Sequence, residues 1–117
     1  MVTDIFLHGD GSENFAVGVI TVNKDRLIEF ALEHQIEKPV EELYHDKQIR
    51  TLICKELNII GKKEGLHGFE QARNIYIEPE VTFMNKGILS NTLKMQRHKA
   101  RTIYAEQIRD MYKEGQL

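Results

Sequence analysis

The run Phe15-Ala16-Val17-Gly18-Val19-Ile20-Thr21-Val22 constrains the fold more than any other stretch of this chain. A strand with one wet face alternates apolar and polar residues, whereas this one is apolar on both faces. It is therefore expected to be a central strand, covered on both sides. Val2 to His8 reads as its neighbour, with Ile5, Phe6 and Leu7 as the apolar part. The connection Gly9-Asp10-Gly11-Ser12-Glu13-Asn14 has two glycines and two Asx residues, which suits a turn between antiparallel strands.

Covering two faces requires helices, and the pattern supplies them. Asn23 is placed to cap a helix running to about Gln35, with Asp25 in its first turn and Leu27, Ile28, Ala31 and Leu32 as its buried stripe. Pro39 opens a short helical piece with Val40, Leu43 and Tyr44 inward. Asp46 caps a longer helix from Lys47 to Glu64, carrying Ile49, Leu52, Ile53, Leu57 and Ile60 at helical spacing. Gly65 ends it, and Leu66 folds back on its last turn. Asn74-Ile75-Tyr76-Ile77-Glu78 alternates as a third strand, which Pro79 stops. A last helix is expected from Arg97 or His98 to Lys113, with Ala100, Ile103, Tyr104, Ile108, Met111 and Tyr112 on one face.

The expected fold is α+β in the order β-β-α-α-β-α: a small mixed or antiparallel three-stranded sheet packed with helices. At 117 residues it makes one domain at most. No apolar run approaches the roughly 18 residues needed to span a bilayer. Asp4, His8 and Asp10 interrupt the first strand, so no secretory signal is expected. The single cysteine, Cys54, forms no internal disulfide, fits a reducing compartment, and reads as a small buried apolar residue beside the helix stripe.

Charge is uneven. From Lys86 onward seven Lys/Arg face three Asp/Glu, a net +4, while residues 1–85 carry nine against fifteen, a net -6. A basic end suits an anionic ligand, or a solvated helix face. That end contains Gly87-Ile88-Leu89-Ser90-Asn91-Thr92-Leu93-Lys94-Met95-Gln96-Arg97, where a glycine, small polar residues and two cations share an irregular segment. Such a loop can carry a lysine to the phosphates of a nucleotide. The five histidines, at 8, 34, 45, 67 and 98, lack metal-ligand spacing, so no metal site is expected. There is no Gly-x-x-x-x-Gly-Lys-Ser/Thr loop, and Ser90 has no evident histidine and acid partners.

Glu78-Pro79-Glu80, together with Gly87 to Arg97, resembles the end of a long-chain acyl-CoA synthetase of the adenylate-forming ligase superfamily. Such enzymes show an acidic-proline stretch, an Asn-Gly, Leu-Leu-Thr-Pro-Thr, an aromatic or apolar residue, and Lys-x-Lys-Arg. The similarity extends back through Phe69-Glu70-Gln71 and Val2 to Asp10, and forward through Ile103-Tyr104 and Ile108 to Tyr112, nearly the whole chain. Ser90-Asn91-Thr92 stands where Thr-Pro-Thr is usual, Leu93 replaces the aromatic residue, and Gln96 replaces the second lysine.

The resemblance implies that residues 1–117 are most of the small C-terminal domain of such an enzyme. The superfamily's hinge, hairpin and leading helix are not found ahead of the first strand, so a fragment is expected, inactive alone and with no cofactor bound. The full-length enzyme would join ATP and a long fatty acid into an acyl-adenylate, then transfer the acyl group to CoA. The large N-terminal domain would be the partner that holds the ATP loop, the acyl tunnel and most of the Mg2+ site. Lys94 matches the lysine that serves adenylation. Arg97, Lys99 and Arg101 are candidates for phosphate or CoA contacts, and Gly87, Ser90 and Thr92 for positioning the loop. Location would be intracellular and cytoplasmic-facing, with any membrane attachment through regions outside this chain. The isolated fragment is expected to self-associate through a bare sheet edge or face. The competing reading is a non-catalytic protein- or nucleic-acid-binding α+β module. Overall acidity, and the lack of an aromatic-basic cluster on a strand, argue against nucleic acid.

Overall fold

The computed structural model describes residues 2–9, 15–63, 72–89 and 94–117, with the side chains of 60–63 left out. The expected turn at 10–14, the helix end at Gly65 and Leu66, and Ser90 to Leu93 lie outside the described residues.

Strands β1 (Val2–Gly9), β2 (Ala16–Val22) and β3 (Ala72–Pro79) form one sheet in the order β1-β2-β3. β1 and β2 are antiparallel, and β2 and β3 parallel. Every residue of β2 is buried. Its side chains divide by the period of two: Ile20 and Val22 enter one core, Val17 and Val19 the other. The parallel pair needs a crossover, which α1 (Lys24–Glu33), α2 (Val40–Leu43) and α3 (Lys47–Lys63) supply. These three helices cover the first face through Leu27, Ala31, Leu43, Ile49 and Ile53. Asn23 Oδ1 accepts from the Arg26 amide at 3.1 Å, and Asp46 Oδ1 from the Ile49 amide at 3.0 Å, so both expected caps form.

The second face is closed by α4 (Thr82–Asn85), α5 (Arg97–Ile103) and α6 (Ala105–Glu114). The element order matches the sequence expectation, with α4 as an added turn. Two expectations about helix faces need correction. The last helix is two helices, parted at Tyr104 (φ -100°, ψ 17°), and Ile103 is 36% exposed instead of inward. The i→i-4 bonds from Tyr104 to Ala100 (2.9 Å) and from Ile108 to Tyr104 (2.8 Å) persist. The chain therefore kinks so that the Tyr104 ring turns into the core. Leu32 is 57% exposed, because it lies about 100° around the helix from buried Ala31 and α1 ends a residue later. Cys54 is buried, its Sγ 3.3 Å from the Ala72 carbonyl, and burial pushes the thiol above its usual range.

Both outer strands have backbone carbonyls engaged by arginine. Arg50 Nε donates to the Ile75 carbonyl of β3 at 2.9 Å, and an Arg97 guanidinium nitrogen donates to the Leu7 carbonyl of β1 at 2.9 Å. The Leu117 amide takes the Arg73 carbonyl at 2.8 Å.

Candidate functional site

Of the segment from Lys86 to Arg97, the structure describes an outgoing leg to Leu89 and a returning leg from Lys94. Phe83 and Ile88 are fully buried and hold its outgoing leg. The Phe83 carbonyl accepts from the amides of Ile88 (2.8 Å) and Leu89 (3.2 Å). The legs are then joined by an antiparallel bridge between Leu89 and Met95, and by the Gln96 amide donating to the Ile88 carbonyl at 2.6 Å. Lys94 is the residue before that bridge on the returning leg, and it is exposed. Lys94 therefore sits next to the bridge that joins the two described legs.

Gly87 makes the reversal. Its φ is +71°, a region that costs an L-residue a clash with its own backbone. A Cβ there would also come 2.9 Å from Lys99 Nζ, so the Lys99 side chain lies against the Gly87 backbone. The ammonium is the far end of a flexible chain and can move aside; the backbone cannot. Gly87→Ala is expected to lower stability by about 1–2 kcal/mol in urea denaturation. The cost should be the same in a Lys99→Ala background. A cost that vanished there would trace it to crowding by the ammonium instead.

The remaining candidates are spread along α5. Arg97 lies 5.5 Å from the Phe6 ring centroid as well as on the Leu7 carbonyl, which ties the start of α5 to β1. A guanidinium has five N–H donors, so this leaves others for an anion. Arg101 is exposed in the last turn of α5. Ser90 and Thr92 lie outside the described residues.

Beneath the loop is a polar cluster that sequence reasoning missed. The Tyr104 ring is fully buried, and its hydroxyl donates to Glu78 Oε2 at 2.8 Å. Lys86 Nζ is 3.4 Å from the same oxygen and 4.8 Å from the Tyr104 ring centroid. Burial, followed by the Glu78 hydrogen bond, pushes the Tyr104 phenol far above its usual range, so it remains a donor. A tyrosine on an otherwise apolar helix face was the available signal, because a buried hydroxyl needs a partner. That the partner is Glu78, on another element, could not be read from spacing. Among the described residues, no group of three or more His, Cys, Asp or Glu is placed to hold a metal ion.

Comparisons with known proteins agree with this architecture. The adenylation domain of carboxylic acid reductase from Segniliparus rugosus, in an A-PCP didomain with AMP, superposes with a TM-score of 0.73 over 97% of this chain at 23% identity. The adenylation domain of a Mycobacterium chelonae carboxylate reductase gives 0.70 over 95% at 22% identity. The fold is thus that of a portion of an adenylation domain. No protein-family profile matches. In sequence, the chain is 32% identical over 111 residues to mouse long-chain-fatty-acid–CoA ligase 6, and 30% to human long-chain-fatty-acid–CoA ligase 1. It is 29% identical over 114 residues to the peroxisomal long chain acyl-CoA synthetase 7 of Arabidopsis thaliana. The chain is thus similar to a segment of these long-chain fatty acid–CoA ligases: the matches take in 95–97% of this chain but only 16% of the length of each relative.

Proposed function

We propose that residues 1–117 are most of the small C-terminal domain of an AMP-forming long-chain fatty acid–CoA ligase, and that Lys94 serves its adenylation half-reaction. The observation that carries the reading is the exposed position of Lys94 beside the Leu89–Met95 bridge. The ligase relatives matched along nearly the whole chain support it.

In the first half-reaction a fatty-acid carboxylate oxygen attacks the α-phosphorus of ATP, and the bond to pyrophosphate breaks. Two anions must approach. A preorganised ammonium between them lowers the repulsion where charge develops. Lysine suits this role as a compact point charge on a mobile stem. In the second half-reaction the CoA sulfur attacks the acyl carbonyl carbon and AMP leaves with the bonding pair. Lys94 has no part in that step, and a loop on a movable domain allows its withdrawal. Lys99, Arg101 and the spare donors of Arg97 are assigned to phosphate groups of ATP or CoA. By the chain's resemblance to the ligases, most of the Mg2+ site, the acyl tunnel and the ATP loop are assigned to the large N-terminal domain. An intracellular, cytoplasmic-facing location belongs to the same proposal.

The isolated chain, given ATP and a fatty acid, is expected to release no pyrophosphate above a protein-free blank. Turnover by the chain alone would refute the division of labour. The alternative of a non-catalytic binding module is not favoured, since the matched relatives described above are ligases.

A further inference from the structure

We propose that Tyr104 is a positioning residue for Lys94, acting through Glu78 and Lys86 to hold both legs of the loop in register. The inference rests on the adenylation role assigned to Lys94. Its geometric basis is that Tyr104 is tied to both legs. Through its backbone, Tyr104 ends α5, the helix into which the returning leg runs: its amide donates to the Ala100 carbonyl at 2.9 Å, and the Ala100 amide donates to that of Gln96 at 3.0 Å. Through its side chain it grips the outgoing leg. The ring packs 6.1 Å from that of Phe83, whose carbonyl fixes Ile88 and Leu89. The hydroxyl holds Glu78, and Glu78 holds Lys86, the residue just before the left-handed Gly87.

This arrangement differs from ordinary core packing. A phenylalanine would fill the same volume and leave the apolar contacts in place. What the hydroxyl adds is direction. With Tyr104 and Lys86 both on Oε2 and Tyr76 also facing the carboxylate, Glu78 is held in one orientation. Its side chain is only 13% exposed, so water is a poor substitute for either partner. Losing the Tyr104 hydroxyl leaves Glu78 to Lys86 and to Tyr76, which also faces it, so the carboxylate turns away from the direction that serves Lys86. The start of the loop then loosens while the core stays packed. A small displacement of the ammonium costs rate and not binding, because the position of Lys94 matters most where charge develops.

The test is Tyr104→Phe in the full-length ligase, with the two half-reactions assayed separately. Adenylation kcat should fall about tenfold, with KM for ATP and for the fatty acid held within about twofold. Thioester formation from supplied acyl-adenylate should be unchanged. Lys86→Met should move the same half-reaction in the same direction. Amide exchange in this 117-residue chain gives a second reading: in Tyr104→Phe the Gln96 and Ile88 amides should lose protection while those of β2 keep it. Wild-type adenylation in Tyr104→Phe, an equal fall in both half-reactions, or unchanged protection at Gln96 and Ile88 would each overturn the proposal. A Lys94→Ala control separates the two ideas. If it leaves adenylation intact, the role of Lys94 fails; if it abolishes adenylation while Tyr104→Phe does nothing, only the positioning role fails.

Discussion

Lys94→Ala in the full-length ligase is expected to slow acyl-adenylate formation by about 10²–10³-fold, the usual effect of removing one preorganised charge donor from a transition state. The ammonium is assigned to the point where carboxylate and α-phosphate meet. Its loss should therefore appear in kcat more than in KM for ATP. Thioester formation from supplied acyl-adenylate should continue near the wild-type rate, since no bond to the α-phosphorus forms or breaks in that step. Lys94→Arg is the informative companion. It keeps the charge but spreads it over a planar fork with a different reach, and recovery should be slight. A parallel fall in both half-reactions would mean that the substitution disturbs the domain and not the chemistry.

The second large effect concerns stability. Asn74→Ala is expected to cost this chain about 3–4 kcal/mol, because one buried and several part-buried groups lose a shared partner together. Asn74 is fully buried on β3. The two N–H groups of its Nδ2 are shared among three acceptors, the Met111 carbonyl (3.2 Å), Glu114 Oε1 (2.9 Å) and the Gly115 carbonyl (2.8 Å). Its Oδ1 accepts from an Arg50 guanidinium nitrogen at 2.6 Å. Arg50 in turn pairs with Glu114 at 2.6 Å. One side chain thus ties α3, the sheet edge and the end of α6. The thermal midpoint should drop by more than about 10 °C. Acid sensitivity should change too. The Arg50 hydrogen bond, followed by desolvation working against it and the Asn74 bond working with it, holds the Glu114 carboxyl below the ordinary glutamate range. A carboxyl depressed in the folded state adds stability above its unfolded pKa, and this is lost as pH falls through its folded value. Asn74→Ala should flatten that acid-side slope. Urea midpoints measured from neutral pH down through the carboxylate range check both effects. A slope equal to wild type would mean that Arg50 alone sets the Glu114 shift.

Much of this was legible without coordinates because local chemistry decides it. β2 is apolar on both faces and could only be central. Asn23 and Asp46 cap their helices because a short acceptor side chain before a helix finds the free amides within three residues. The loop around Lys94 was visible as a glycine followed by small polar residues and cations. The kink at Tyr104 was not visible. The spacing of Ala100, Ile103, Tyr104 and Ile108 satisfies one straight helix, and periodicity cannot distinguish a face that bends.

From its residues alone, this chain has a central strand covered on both faces, helices between its second and third strands, and a lysine-bearing loop near its basic end. Those follow from side-chain period and short-range hydrogen bonding, which act between neighbours in the sequence. Only the tertiary structure joins Glu78, Lys86 and Tyr104 beneath that loop, and Arg50, Asn74 and Glu114 around the edge of β3. These residues are 8 to 64 positions from their partners. No local rule relates side chains so far apart; the packing of two helical layers on one sheet brings them within hydrogen-bond reach, where burial makes each partner necessary.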